Sequence, residues 1–145
     1  MGRACVDEEF IKRVLSDARE ALEELRSIVS KPLSTVLRSR DLRYAMRFSV
    51  VLLVEALTDA AQHILVRCFN TEPTSYSDAM TKLGVTGVVP QGVADAAAKL
   101  ARLRNLVIHR YWEVDDARIY RSAAEGGIDS VERMINMVER WVRDA

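Results

Sequence analysis

Apolar residues recur along this chain at helical spacing, not in alternation. Phe10, Val14, Ala18, Ala21/Leu22 and Leu25 fall three or four apart, with Lys, Arg and Glu between them. That is the pattern of a helix with one buried face. It predicts a first helix over roughly Asp7–Ser30, with Asp7 as N-cap and Glu8 and Glu9 in the favoured first turn. Lys31-Pro32 marks its end, because a residue before proline resists the helical conformation. A second, longest helix is predicted from about Ser34–Asp41 to about Cys68. Its middle, Val50 to Ile64, is apolar on more than one side, as expected for a helix surrounded by others.

Phe69–Ser75 is a polar loop containing Pro73. Ser75 followed by Asp78 resembles a capping box with a shorter acid, and predicts a short helix to about Leu83. Gly84, Gly87, Pro90 and Gly92 punctuate a turn-rich link. An Ala-rich helix is expected from Gln91 to about Trp112, with Pro90 at its start. Asp115-Asp116 signals a short helix ending at Gly126-Gly127. Asp129 or Ser130 opens a last helix to Val142, with Val131, Met134, Ile135, Val138, Trp141 and Val142 on one side. No segment reads as a strand, a linker or a repeat. The expected fold is an all-α up-and-down bundle of four main helices plus short extra ones, in one domain over residues 1–145.

Composition sharpens this. The chain has 145 residues, 49% hydrophobic and 29% charged, a balance that excludes disorder and allows a core without disulfides or structural metal. Lys+Arg and Asp+Glu are 21 each. Zero net charge excludes a histone-like basic coat, but a local basic stripe can still bind nucleic acid on a neutral protein. Two cysteines exclude a disulfide framework by count, and Cys5 and Cys68 are read as reduced thiols. A zinc site would need all four scattered Cys and His residues. The N-terminus lacks an apolar signal core, and the longest apolar run, Val50–Val54, is far short of the ~20 residues of a membrane span. A cytoplasmic location is expected, with no membrane partner.

The segment Arg102–Asp115 carries the candidate chemistry. On an ideal helix Leu100, Leu103, Val107 and Tyr111 form one stripe, with Arg104 beside it. Arg102, Asn105 and His109 line another side at i, i+3 and i+7, flanked by Leu106 and Ile108. Two sides unlike a solvated face imply a partner subunit. Arg104 and His109 lie about 140° apart on an ideal helix. The arginine must therefore wrap round, or a second copy of the chain must complete the site.

Arg104-Asn105-Leu-Val-Ile-His109-Arg-Tyr111 resembles the R-N-x-x-x-H-x-Y signature of HepT-type HEPN toxins, whose partner is a minimal nucleotidyltransferase antitoxin, MntA. Tyr44-Ala45, Val51-Leu-Leu-Val-Glu55-Ala56, Asp59, Pro90 and Trp112-Glu-Val-Asp115 also look like that family. The resemblance covers about Asp7 to Trp141. It implies a homodimeric, metal-independent endoribonuclease toxin of a type VII-like toxin–antitoxin system, with no cofactor. Cleavage by the RNA 2′-hydroxyl needs a proton-moving group near neutral pH and a cation for the charge building on phosphate. His109 is then the acid/base and Arg104 the phosphate-holding fork. Asn105 positions phosphate or orients the histidine, and the products carry 2′,3′-cyclic phosphate. The resemblance also implies that the antitoxin transfers AMP from ATP to Tyr111, covering the site.

Plainer readings stand beside these. Glu55, Asp59 and His63 follow at i, i+4 spacing and have the donors of a metal site. The alternative pairs Glu55 and Asp59 with arginines, Arg104 among them. Glu55 interrupts the most apolar run, where an unpaired carboxylate is costly. Arg40, Arg43 and Arg47 form a stripe that reads as an RNA-backbone track, with Arg102 as a further contact, as a surface for an acidic partner, or as a solvated face. A tyrosine on a core stripe can simply pack with its hydroxyl at the rim. The alternative function is a non-catalytic nucleotide- or substrate-binding subunit of a separate nucleotidyltransferase.

Overall fold

A computed structural model describes residues 2–144, all helix, turn and loop with no strand among the described residues. The helices are α1 (Glu8–Val29), α2 (Leu33–Arg38), α3 (Arg40–Phe69), α4 (Tyr76–Val85), α5 (Gln91–His109), α6 (Asp116–Ser122) and α7 (Ile128–Arg143). The chain is the all-α helical bundle that its periodicity predicts. α1 packs on α3 and α7, and α5 closes the ring by packing on both α7 and α3. The core is built from the predicted stripes: Val14, Ala18, Leu22 and Leu25 of α1, and Val131, Met134, Ile135, Val138 and Val142 of α7, are buried. Leu53, Val54, Ala61, Ile64 and Leu65 of α3 are fully enclosed. α3 is the one described helix long and apolar enough to cross a membrane, but 61% of its most apolar window is buried inside the bundle.

Local chemistry sets the boundaries. Asp7 caps α1, its Oδ1 accepting from the Phe10 N–H at 3.2 Å. Ser75 Oγ accepts from the Asp78 N–H, while Asp78 Oδ2 accepts from the Thr74 N–H, so the box's second arm lands one residue early. The long second helix begins within its predicted window, at Arg40, and a separate short helix, α2, precedes it there. Ser39 is extended (φ −107°, ψ 114°) and its Oγ accepts from the Leu42 N–H, which starts α3 afresh. Gly84 allows α4 to lie close on α5, since a Cβ there would meet Ala94 Cβ at 2.8 Å. Between α6 and α7 the chain kinks at Glu125 and Gly126, which leave helical geometry, and Gly126 takes φ 120°, a value L-residues rarely adopt.

Two expectations are corrected here. Cys5 and Cys68 are not free thiols: they are joined as a disulfide with Cα atoms 5.3 Å apart. Counting cysteines could not reveal that residues 63 apart in sequence meet where the N-terminal strap folds back on the end of α3. The strap is held further by Arg3, whose Nε donates to the Trp141 carbonyl at 2.6 Å and whose guanidinium lies over the Trp141 ring. The second correction concerns α5. It ends at His109, not Trp112, and a single 3-10 turn, Tyr111–Glu113, follows. Arg110, with φ −138° and ψ 49°, turns the chain out of the helix.

Candidate functional site

The early end of α5 reshapes the candidate site. Leu100, Leu103 and Val107 pack against the core as the stripe predicts. Tyr111 does not continue them: it stands on the turn, 64% exposed, edge-on to Trp112 with ring centroids 5.3 Å apart. His109 is exposed at the last residue of α5. Tyr111, Trp112 and Ile108 thus form an exposed aromatic and aliphatic cluster around the imidazole's end of the helix.

Arg104 lies one and a half turns back. Its side chain is only 13% exposed. Nη2 donates to Glu55 Oε1 of α3 at 2.6 Å, and Nη1 donates to the Asn105 Oδ1 at 3.1 Å. The guanidinium carbon stands 4.2 Å from the ring centroid of Tyr76, the first residue of α4. The Tyr76 hydroxyl donates to the same Glu55 carboxylate, 3.0 Å from Oε1 and 3.1 Å from Oε2. Burial, then the Glu55 carboxylate, pushes the Tyr76 phenol up from its ordinary value, so it stays a neutral donor. Arg104 Nε is buried without a partner. Three helices therefore converge on one cation: α3 supplies the anion, α4 the aromatic face, and α5 the arginine with its amide neighbour.

Asp59 sits one turn beyond Glu55 on α3, and burial followed by the Glu55 charge raises its carboxyl pKa. His63 does not join these carboxylates. Its Nε2 accepts the Asp7 N–H at 3.0 Å and its ring lies 4.9 Å from that of Phe10, so it serves the start of α1. Among the described residues no three of His, Cys, Asp and Glu gather as a metal site.

The arginine stripe is also redistributed. Arg47 Nε and Nη2 bond to the two oxygens of buried Asp116, both at 2.8 Å. Arg43 Nε adds a longer contact to Asp116 at 3.5 Å, while its Nη1 donates to the Leu37 carbonyl. Of the three, Arg40 is the one left exposed. Arg102 is exposed on another side of α5, where with Lys99 and Arg118 it rims a groove of about 840 Å³ toward the Gly126 turn. Neither Arg104, His109 nor Tyr111 lines that groove.

Sequence reasoning missed two contributors. Tyr76 is 28 residues from Arg104, and its only signal was an aromatic residue directly after a helix cap. Asp116 was read as half of a start signal. In fact Asp115 alone caps α6, accepting from the Ala117 and Arg118 N–H groups, and Asp116 turns inward.

Comparison with known proteins agrees with this architecture. The family model described as HepT-like, ribonuclease HepT-like, matches residues 18–138. A tri-AMPylated Shewanella oneidensis HEPN toxin, solved in complex with MNT antitoxin, superposes with a TM-score of 0.82 at 19% identity, covering 90% of this chain and 97% of that one. A toxin–antitoxin structure with AMP-PNP gives 0.78 at 18% identity, covering 89% and 97%. YutE of Bacillus subtilis, a cytosolic protein of unknown function, gives 0.79 at 20% identity, covering 97% and 92%. No curated protein sequence matches the chain.

Proposed function

Since this chain belongs to the HepT-like ribonuclease family, we propose that it is an endoribonuclease toxin that cuts RNA without metal. In this reading Arg104 and His109 carry the chemistry. The observation behind it is the state of Arg104: a guanidinium sunk into the protein, held by one carboxylate and stacked on one ring, five residues from an exposed histidine at the end of the same helix. A cation fixed at low exposure holds its place when a phosphate arrives, which is what transition-state stabilisation requires.

The 2′-oxygen attacks phosphorus, the bond to the 5′-oxygen breaks, and one proton moves at each oxygen. His109 carries these protons. Arg104 offsets the charge on the non-bridging oxygens, and Asn105 fixes the arginine from the side. The products are a 2′,3′-cyclic phosphate and a 5′-hydroxyl. Glu55 holds Arg104 until phosphate competes for it, with Asp59 adding negative charge behind.

The proposed active form is a homodimer. Tyr44, Phe48 and Leu52 are exposed on α3 at i, i+4 and i+8, and the same face runs on to Glu55 and Asp59. An apolar strip that leads to the site asks for a covering surface. A second copy would both cover it and bring its own His109. Tyr111 is the proposed modification site, where a partner nucleotidyltransferase of MntA type moves AMP from ATP to the exposed hydroxyl and releases pyrophosphate. Bulk and negative charge there would keep RNA from Arg104. Arg40 and Arg102 remain as RNA-backbone contacts, and the proposed setting is the cytoplasm.

The second reading is a non-catalytic nucleotide-binding subunit. What favours it is that both Nη groups of Arg104 already have partners. The deciding experiment is RNA cleavage in EDTA by the partner-free protein beside His109→Ala. Cleavage by the parent alone, leaving cyclic-phosphate ends, supports the nuclease. No cleavage by a folded, unmodified parent on total RNA overturns it.

A further inference from the structure

We propose that Tyr76 is a positioning residue for RNA cleavage, setting the plane and depth of the Arg104 guanidinium through its ring and through the Glu55 carboxylate. The inference rests on the ribonuclease reading and adds a residue that the R-N-x-x-x-H-x-Y segment does not contain.

A guanidinium directs its donors only within its own plane. Its aim at a phosphate therefore depends on what fixes that plane. On α5 itself only Asn105 reaches Arg104, through Nη1. Glu55 fixes one further point, Nη2. Both contacts run to side chains that are themselves partly exposed and can shift together with the guanidinium. The Tyr76 ring, 4.2 Å from the guanidinium carbon, closes that freedom, because a flat cation over an aromatic face is restrained across its plane.

The hydroxyl adds a second restraint. It reaches both Glu55 oxygens at 3.0 and 3.1 Å and lies 3.4 Å from Arg104 Nη2. Glu55 is on an intermediate, half-wet part of α3 with its side chain 38% exposed. Without the phenol nothing else described holds that carboxylate except the arginine it is meant to aim. Tyr76 itself is anchored because Ser75 caps α4 and Ala79, Met80 and Leu83 of that helix are buried. Ring, carboxylate and cation thus form a closed triangle whose fixed corner is α4.

Arg104 is in this account stabilising the charge of the transition state more than that of bound RNA. Its misaiming therefore lowers kcat and leaves KM almost unchanged. Tyr76→Phe keeps the ring and loses the hydroxyl, and should lower kcat about 5-fold. Tyr76→Leu loses both, and should lower kcat on the order of 50-fold. The test measures kcat and KM for both variants in the parent and in an Arg104→Lys background, with melting curves to confirm folding. A lysine has no plane to set, so the Tyr76→Phe effect should vanish there. In parallel, the Arg104 Nε–H resonance reports placement without any activity: the parent should show it shifted upfield by the ring, and Tyr76→Leu should return it toward an ordinary arginine position.

Equal effects of Tyr76→Phe in both backgrounds, or a Tyr76→Leu variant that folds and cuts at the parental rate, would overturn the assignment. A parent that cuts no RNA while its Arg104 resonance is shifted and Tyr76-dependent would instead overturn the ribonuclease reading and leave the positioning geometry standing.

Discussion

Replacing Asp116 by alanine separates two roles for the arginines of α3. Asp116 is 9% exposed and Arg47 20%. Their two bonds of 2.8 Å make a bidentate, charge-assisted pair that ties the first turn of α6 to α3. The pairing holds the Arg47 pKa above its ordinary value. Removing one partner of a buried ion pair costs about 3–5 kcal/mol when the other charge is left fully enclosed. Arg47 keeps some access to water, which lowers the expected cost to about 2–3 kcal/mol. For a chain of this length that is a fall in Tm of roughly 6–10 °C. Circular dichroism melts of the parent, Asp116→Ala and Arg47→Ala measure it. The double replacement Arg47→Met with Asp116→Leu should regain most of the loss, because an apolar pair removes both charges. If Arg47 were instead an RNA-backbone contact, Arg47→Ala would leave Tm alone and reduce the salt slope of RNA binding by about one. An Asp116→Ala melt within about 2 °C of the parent would refute the clasp.

Other predictions are simpler. His63 has its pKa lowered, by burial first and then by the Arg67 charge, and its Nε2 accepts the Asp7 N–H only when unprotonated. The folded state thus binds fewer protons than the unfolded. The stability His63 contributes is full above about pH 6.5 and is lost as pH falls through that value toward the folded pKa. His63→Ala should flatten this part of the stability–pH curve, and the protection factor of the Asp7 amide, its exchange rate relative to the unfolded chain at the same pH, should fall in the parent as pH drops from 7 to about 5. Phe48→Glu puts a charge on the exposed α3 strip and should shift the protein toward monomer in sedimentation. An unchanged dimer would place the interface elsewhere. Reducing Cys5–Cys68, 63 residues apart, should cost about 2–4 kcal/mol. Calorimetry with and without reductant reads that loss, and equal melting points would refute it.

Much of the bundle is legible in the sequence because its helices are strongly one-sided. The stripe Val14, Ala18, Leu22, Leu25 can be buried in only one way. Breaks that depend on a single backbone conformation are not legible. Ser39 sits in a continuous helical pattern and gives no sign that its own extended backbone restarts the helix. Arg110 likewise carries no proline or glycine, so the stripe through Tyr111 reads as unbroken while the chain has already left the helix. For the site, Arg104, Asn105, Glu55 and His109 could be chosen by residue type and spacing, and the alternative that paired Glu55 with Arg104 is the one the structure contains. Tyr76 and the Arg43–Arg47–Asp116 contacts could not, since each depends on which helices become neighbours in space. His63 shows the reverse: its spacing from Asp59 allowed company with carboxylates, while one further turn of α3 sets it beside the start of α1.

The Cys5–Cys68 bond also decides how the molecule answers to force. A load applied at the N-terminus, from a fusion partner or a tether, passes through Cys5 directly into the end of α3. It cannot peel α1 away turn by turn, because α1, α2 and α3 lie inside a covalently closed loop that carries no tension. The load leaves the loop at Cys68 and falls first on the chain beyond it, which leads into α4 and Tyr76. In a reduced molecule the same pull would unzip α1 from its first turn and reach the Arg104 cluster last. The one bond therefore chooses whether strain arrives at the candidate site early or late.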